Sequence, residues 1–228
     1  MFGQFSRYQV ATAIAVLFHV IGFCGILFFE RTGFVQSTPA NLLLMLALLV
    51  WTQQGKGRGF WLFFFVCFLA GMCVEIAGVH TGWLFGHYFY GNVLGYKILD
   101  TPLIIGVNWF VVVFCSGAAV ELLATRLQPA VLGSENGKAR AILLKTIAGA
   151  LLTVFFDWLM EPVAIQLHYW QWQPAGSIPL YNYFCWFMVS ALLLLFFYRG
   201  AFNRQNIFAV NLLVLQVVFF LLLRLFLQ

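Results

Sequence analysis

The sequence has little charge. Only 8% of its 228 residues are Asp, Glu, Lys or Arg, whereas 63% are hydrophobic and 19% are aromatic. Soluble globular domains carry roughly 25% charged residues, so this composition excludes a soluble domain and indicates an integral membrane protein. The length suits one helical bundle, and we predict a single transmembrane domain over residues 1–228.

The motifs of several protein classes are also missing. The five cysteines form no CxxC pair and all fall in apolar runs, which argues against disulfides and a zinc site. No glycine-rich phosphate loop occurs, and no Ser or Cys stands beside a His in a nucleophile motif. No lysine lies in the middle of the last apolar run, which argues against a retinal Schiff base. The basic residues lie between the apolar runs and form no stripe, so nucleic acid is not an expected partner.

Long apolar runs make up most of the sequence. A spanning helix needs about 20 mainly apolar residues, and we predict an all-α bundle with about seven such spans. Pro162 directly follows Glu161 and is predicted to end the fifth helix near that point, because proline lacks the N–H that a helix interior requires. The predicted spans are 11–29, 39–53, 60–79, 102–124, 141–161, 181–198 and 206–226.

Lysine and arginine are distributed unequally between the two ends of the predicted spans. Nine of the 12 fall on one side, together with the polar loop 125–140, and three fall on the other. Because basic residues favour the cytoplasmic side, we predict a cytoplasmic N-terminus and, after seven spans, an external C-terminus. The segments 80–101 and 162–180 then share the outer side. Both are rich in aromatic residues and poor in charge, so they either lie in the interfacial belt or fold back to line a cavity.

Three acidic residues lie inside apolar runs toward the outer ends of the third and fifth spans, where an unpaired charge is costly. A fourth, Glu121, lies at the cytoplasmic end of the fourth span, one turn from Arg126, and is interpreted as its ion-pair partner. Glu75 lies in the third span, and Asp157 and Glu161 lie four residues apart in the fifth. Helical residues at this spacing share one face, with Cβ atoms about 5–6 Å apart. Two carboxyl groups this close in a low dielectric cannot both ionise cheaply, so one should hold a proton at neutral pH. The pair is a candidate general acid and base; a structural hydrogen-bonded pair is the alternative.

Two histidines could form a metal site together with these acids. His80 and His87 follow Glu75 in one glycine- and aromatic-rich segment and could join the acids as ligands. Membrane di-iron hydroxylases and desaturases, however, use many histidines in HxxH-like clusters, and none occurs here. We therefore predict no metal and no cofactor. His19 stands alone in the first span and is interpreted as a core histidine.

Aromatic residues crowd the same side of the predicted bundle as the acids. Some of them belong to an interfacial belt, but aromatic faces also stabilise cations without acting as nucleophiles. A dry pocket with a protonated carboxyl group and aromatic walls suits protonation of a carbon–carbon double bond in a polyene or isoprenoid taken from the bilayer. These aromatic residues are Trp83, Phe85, Tyr88, Tyr90, Trp109, Tyr169, Trp170, Trp172, Tyr181, Tyr183 and Trp186.

Three blocks of the sequence carry a resemblance to a known family. They are Glu75-x-x-Gly78-x-x-Thr81-Gly82-x-x-Phe85-Gly86-x-Tyr88-x-Tyr90, then Pro102 followed by Trp109, and then Asp157-x-x-x-Glu161-Pro162, Tyr169-Trp170-x-Trp172 and Ile178-Pro179-Leu180-x-Asn182-x-x-x-Trp186. In these blocks the chain resembles the membrane carotenoid-biosynthesis family that contains the CruF-type carotenoid 1,2-hydratases, including the bisanhydrobacterioruberin hydratases. The resemblance runs from about Gly71 to Trp186, and the outer spans agree with it only in hydropathy.

The resemblance implies a hydro-lyase that works without a cofactor. The implied reaction adds water across the terminal C1=C2 bond of a ψ-end carotenoid by acid catalysis, giving a tertiary 1-hydroxy end group. The implied location is a prokaryotic cell (inner) membrane. The expected partners are the hydrophobic carotenoid drawn from the bilayer, membrane lipids and other enzymes of the carotenoid pathway.

The predicted site combines the three acids with polar and aromatic neighbours. Asp157 and Glu161 form the predicted acid–base pair, and Glu75 is the third catalytic carboxyl group. With Asn182 and His80, Glu75 is expected to orient water or hold the proton network. The other residues expected to position substrate or water are Thr81, Tyr88, Tyr90, Asn108, Trp109, Trp170, Trp172 and Trp186.

Two other functions stay open at this point. A lycopene-cyclase-like enzyme would begin with the same protonation, but an internal double bond would quench the cation, so the product would be isomeric with the substrate. A proton-coupled transporter or lipid-binding membrane protein would also use buried carboxyl groups. The sequence shows no internal repeat and no pair of broken helices, which are features typical of transporters.

Overall fold

The computed structural model describes residues 6–127, 135–176 and 178–227. Six helices in this part of the chain are long and apolar enough to cross a membrane, and α3 is apolar but shorter, with 15 residues. The prediction of an all-α membrane bundle is confirmed, and each predicted span corresponds to one of these helices. The helices are α1 (Arg7–Phe28), α2 (Arg31–Gln36), α3 (Thr38–Thr52), α4 (Arg58–Thr81), α5 (Ile104–Leu127), α6 (Glu135–Gln166), α7 (Leu180–Arg199) and α8 (Ile207–Phe226).

The central helix is α5. Its residues from Ile104 to Ala118 are nearly all buried, and it packs against α3, α4, α6, α7 and α8. The loop predicted at 125–140 is in part helical, because residues 125–127 belong to α5 and residues 135–140 belong to α6, and residues 128–134 lie outside the described residues. The predicted orientation, with a cytoplasmic N-terminus, stays a prediction.

Two glycines shape the helix α4. Gly82 follows its last residue with φ 67°, a left-handed conformation that glycine adopts without a steric penalty, and so ends the helix. Gly71 lies where a Cβ atom would come within 2.6 Å of the Trp109 side chain on α5. A glycine here therefore lets Trp109 approach the turn of α4 that carries Glu75.

The helix α6 does not end at Pro162, and the sequence-based prediction was wrong on this point. The helix continues to Gln166. A proline at this position leaves the carbonyl of Trp158 without its usual helical donor. Arg224 of α8 supplies a substitute, because its Nη1 donates to Trp158 O over 3.3 Å and its guanidinium lies 4.3 Å from the Trp158 ring centroid. With this carbonyl hydrogen-bonded, the helix can pass the proline.

Two short antiparallel sheets lie at one end of the bundle, called here the sheet end. The strand β1 (Tyr88–Tyr90) pairs with β4 (Trp170–Trp172), and β2 (Lys97–Ile98) pairs with β3 (Thr101–Pro102). Apart from Pro102, all residues of the four strands come from the two aromatic-rich segments that the sequence places on one side of the bundle. Of the two alternatives for these segments, folding back over a cavity is the one observed.

The sheet formed by β1 and β4 presents aromatic side chains to the interior of the bundle. Successive residues of a strand point to opposite faces, so Tyr88 and Tyr90 are buried while Phe89 between them is 46% exposed. The register places Tyr88 opposite Trp172 and Tyr90 opposite Trp170, with ring centroids 5.2 Å and 6.0 Å apart. Four hydrogen-bond donors, two phenols and two indoles, therefore face the helices from this sheet.

Candidate active site

Three carboxyl groups line one cavity beneath the sheet formed by β1 and β4. Glu75 comes from α4, and Asp157 and Glu161 come from adjacent turns of α6, as their spacing predicts. All three residues are buried, with exposed fractions of 5%, 1% and 2%. The cavity measures about 30 Å³, more than the roughly 10–15 Å³ that a buried water molecule needs.

Glu75 accepts three hydrogen bonds. Its Oε2 accepts from the hydroxyls of Tyr88, at 2.5 Å, and Tyr90, at 2.7 Å, and its Oε1 accepts from Trp109 Nε1 at 2.9 Å. Burial and the nearby Glu75 carboxylate raise the pKa of both tyrosines well above the ordinary value, so both phenols stay protonated donors. An ionised carboxylate is an acceptor-only group, and this set of three donors suits it.

Glu161 accepts two indole hydrogen bonds from the strand β4. Trp170 Nε1 and Trp172 Nε1 each donate to its Oε2 over 3.0 Å. The two donors are alternate residues of one strand, so both project from the same face of the sheet. The sheet thus fixes one oxygen of Glu161 and leaves Oε1 without a hydrogen-bond partner among the described residues.

Asp157 is held differently from the other two acids. Asn182 of α7 donates from Nδ2 to its Oδ2 over 2.8 Å. The other oxygen, Oδ1, is buried and meets no hydrogen-bond partner among the described residues. Asp157 thus accepts one hydrogen bond, whereas Glu161 accepts two and Glu75 accepts three. Because donors stabilise the ionised form of a carboxyl group, Asp157 is the acid whose surroundings best suit a bound proton.

Most of the predicted positioning residues surround this cavity. Asn108, Asn182 and Trp186 line it together with the four donors of the sheet. Trp109 lies behind Glu75, and its ring stacks on Trp186 with centroids 4.1 Å apart and planes 12° apart. The residue Asn108 makes no side-chain hydrogen bond to a described residue, although it lies in the interior of the bundle.

His80 and Thr81 do not belong to the site, contrary to the sequence-based prediction. His80 is exposed, with Nε2 3.2 Å from Leu99 O and 3.8 Å from Asp100 Oδ2. Thr81 is also exposed, and its hydroxyl donates to Ala77 O at 2.6 Å. Both follow Glu75 by five or six residues, and a helix turns by about 100° per residue. Their side chains therefore point about 120–140° away from the face that carries Glu75.

Sequence reasoning missed three residues that line the cavity, namely Phe85, Ile105 and Met160. Met160 lies three residues after Asp157, so helical spacing could have identified it. Phe85 belongs to the crowded aromatic set, but nothing in its position separates it from the interfacial residues. Ile105 carries no chemical signal in a sequence this apolar.

A second, larger chamber of about 220 Å³ adjoins the carboxyl cavity. The two share a boundary formed by Ile105, Asn108, Met160 and Trp170. His19 lies in the wall of this chamber, and its Nδ1 is 2.8 Å from Ala15 O. The other residues that line the chamber come from α1, α2, α3, α6, α8 and the segments that join α2 to α3, β1 to β2 and α6 to β4. Most of them are apolar: Phe18, Ile21, Gly22, Ile26, Phe34, Ser37, Thr38, Asn41, Leu42, Leu94, Phe156, Tyr169, Gln216, Phe219 and Phe220.

No three His, Cys, Asp or Glu side chains form a metal-binding group within the described part of the chain. His87 is exposed on the approach to β1, and His80 lies outside the site. The absence of a metal from the reaction stays a prediction.

Two comparisons with known proteins found matches. The sequence model of the family described as "Carotenoid biosynthesis protein" matches residues 37–228. The bisanhydrobacterioruberin hydratase of Haloarcula japonica is 29% identical to this chain over 137 residues, which are 59% of this chain and 43% of that protein. The match therefore spans less than half of the length of this curated relative. No solved structure matches the chain.

Proposed function

Since the chain belongs to the carotenoid biosynthesis protein family, we propose that it is a carotenoid 1,2-hydratase. The proposed reaction adds water across the terminal C1=C2 bond of a ψ-end carotenoid and yields a tertiary 1-hydroxy end group. The observation that carries this proposal is the convergence of three buried carboxyl groups, each with a different donor set, on one cavity that has room for water.

The donor sets suggest a separate role for each acid. Asp157 has a single donor and an unpartnered Oδ1, so we assign it as the general acid. Glu161 is fixed through Oε2, and its Oε1 can accept a proton, so we assign it as the general base. Glu75, with three donors, is the anion that stabilises positive charge in the cavity.

The proposed chemistry begins with transfer of the proton from Asp157 Oδ1 to C2 of the substrate. The π electrons of the double bond form the new C2–H bond, which leaves a tertiary cation at C1 beside Glu75 and the aromatic rings. The oxygen of a water molecule then bonds to C1, and Glu161 takes the proton that this water loses. Transfer of that proton to Asp157, one helical turn away, restores the starting state. The net change is the addition of one water.

The larger chamber provides a route for the hydrocarbon substrate. Phe18 and Ile21 of α1 line this chamber and are also 44% and 46% exposed on the surface of the bundle. In a bilayer this surface faces lipid, so a carotenoid can enter sideways between the helices. Its end group would then reach the boundary at Asn108 and Met160, where the carboxyl cavity begins. The proposed reaction involves no redox change and uses no cofactor.

The test is expression in lycopene-producing bacterial cells, followed by mass spectrometry of the pigments. The wild-type chain should yield a product one water heavier than its precursor, whereas a cyclase would yield an isomer. Asp157→Asn keeps the shape and the contact with Asn182 but carries no transferable proton, so its hydrated product should fall by about 10²–10⁴-fold. A wild-type chain that accumulates in the membrane and leaves the pigments unchanged would refute the proposal.

A further inference from the structure

The larger chamber has two unlike walls. The side formed by α1 and α8 is mostly apolar, although it includes His19 and also Gln216, whose Oε1 is buried without a partner among the described residues. The first turn of α3 instead contributes Thr38 and Asn41, Ser37 directly precedes this helix, and Asn108 of α5 follows at the boundary with the carboxyl cavity. These four polar residues form a series across the chamber, hereafter the polar wall.

The polar wall leads inward from the surface. Ser37 is exposed, whereas Thr38, Asn41 and Asn108 are partly exposed. Asn41 Oδ1 is buried without a partner, and neither amide, that of Asn41 or that of Asn108, hydrogen-bonds to a described residue. Amide groups kept from protein partners in an interior are costly unless water satisfies them. A water molecule beside the polar wall would supply the missing bonds.

The middle of the polar wall carries a pair of hydroxyl groups. Thr38 Oγ1 and Tyr169 Oη lie 2.7 Å apart, and either can be the donor. Burial raises the pKa of Tyr169 to about 12, so its hydroxyl remains protonated at neutral pH. Each hydroxyl can donate one hydrogen bond and accept others. A water molecule that moves from Ser37 toward Asn41 can therefore hydrogen-bond to these two hydroxyl groups on its way, and no ionised group is needed.

The sheet of β1 and β4 lies between the sheet end and the carboxyl cavity. It covers the cavity with Tyr88, Tyr90, Trp170 and Trp172, which are 7%, 7%, 8% and 4% exposed. A hydratase consumes one water per turnover, so a site covered in this way needs a path by which water is replaced. We propose that the polar wall is a water inlet that supplies the carboxyl cavity from the sheet end, while the hydrocarbon uses the apolar side of the chamber. The purpose of the inlet rests on the proposed function; its occupation by water does not.

The occupation can be measured without any turnover. Radiolytic hydroxyl-radical labelling with mass spectrometry marks buried side chains that lie beside bound water, and methionine is readily oxidised. Met160 lines both cavities and is 5% exposed, while Met45, on α3, lines neither and is 0% exposed. We expect labelling of Met160 well above that of Met45 in the intact protein in lipid nanodiscs. Equal labelling of the two methionines would overturn the proposal.

The same experiment on variants locates the water. Asn41→Leu removes the polar group and should reduce the labelling of Met160, whereas Asn41→Ser keeps a hydrogen-bonding group and should retain it. Asn211→Leu is the matched control, because Asn211 donates to Thr12 Oγ1 on α1 and does not line the chamber. Unchanged labelling in Asn41→Leu would show that water does not depend on the polar wall and would overturn the inlet.

Turnover gives the functional readout. Asn41→Leu should lower the rate of hydration at saturating substrate by about tenfold, the factor that corresponds to about 1.4 kcal/mol, or one lost hydrogen bond. Asn41→Ser and Asn211→Leu should stay near the wild-type rate. If Met160 is labelled through Asn41 but the wild-type chain hydrates no carotenoid, the inlet stands and the proposed function fails. If hydration is unaffected by Asn41→Leu, the function stands and the inlet fails.

Discussion

The strand β4 offers the sharpest test of how the sheet serves the site. Trp170→Phe and Trp172→Phe each keep an aromatic ring in the buried face of the strand but remove one N–H donor to Glu161 Oε2. If Glu161 is the base, these two donors fix the orientation of its carboxylate and so the position of Oε1. Each variant should therefore lose turnover while the bundle still folds.

The magnitude follows from the number and kind of bonds removed. A hydrogen bond to a charged group contributes about 1.5–3 kcal/mol, and each 1.36 kcal/mol in the barrier changes a rate tenfold. Each single variant should therefore lower the rate of hydration by about 10-fold to 100-fold. Because both indoles donate to the same oxygen, the double variant should lose more than either single one, with a coupling that a double-mutant cycle can measure.

The assay is the initial rate of hydrated product per folded molecule, with purified protein in lipid nanodiscs and mass-spectrometric detection. Trp83→Phe is the matched control, since Trp83 is 80% exposed and lies outside the carboxyl cavity. Thermal unfolding of each variant separates lost catalysis from lost structure. If Trp170→Phe and Trp172→Phe both turn over like Trp83→Phe, the sheet is only a cover and the assignment of Glu161 as an oriented base is wrong.

Three further predictions concern the rest of the molecule. A reporter fused to the C-terminus should be active outside the cell, as the basic asymmetry indicates; a cytoplasmic reporter would mean that α3 does not span the membrane. Activity should survive exhaustive chelation, and loss that iron or zinc reverses would show a metal requirement. Arg224→Leu should lower the free energy of unfolding by about 1–3 kcal/mol, because it leaves the Trp158 carbonyl beside Pro162 without a donor. An unchanged melting temperature would contradict this account of the helix.

Helical spacing predicted the central part of the site correctly. Asp157 and Glu161 share one face because four residues nearly complete a turn, and their depth in an apolar run indicated that they needed partners. The same rule shows why His80 was misplaced. Its position in the sequence beside Glu75 suggested proximity, but five residues carry it to another face of α4, where it meets Asp100.

The sheet and the continuation of α6 could not be predicted from local pattern. A strand of three residues such as Tyr88–Tyr90 is too short to show a period of two, and its partner Trp170–Trp172 lies about 80 residues away in sequence. Pro162 correctly indicated a lost hydrogen bond, but the compensating donor, Arg224, comes from the last helix. Both features depend on contacts between distant parts of the chain, and the helix and strand propensities of single residues carry no information about such contacts.

Side chains alternate between the two faces of a strand, so the site forms only when alternate residues of β1 and β4 face the helices. Tyr88 and Tyr90 serve an acid on α4, and Trp170 and Trp172 serve an acid on α6, so the pairing of two strands holds both acids to one geometry. A shift by one residue turns every side chain of a strand to the opposite face. Deleting Phe89 itself would place Tyr88 and Tyr90 next to each other, so only one of them could face the helices and Glu75 would lose one of its two phenol donors. Among homologous chains, insertions and deletions inside these strands should therefore come in even numbers.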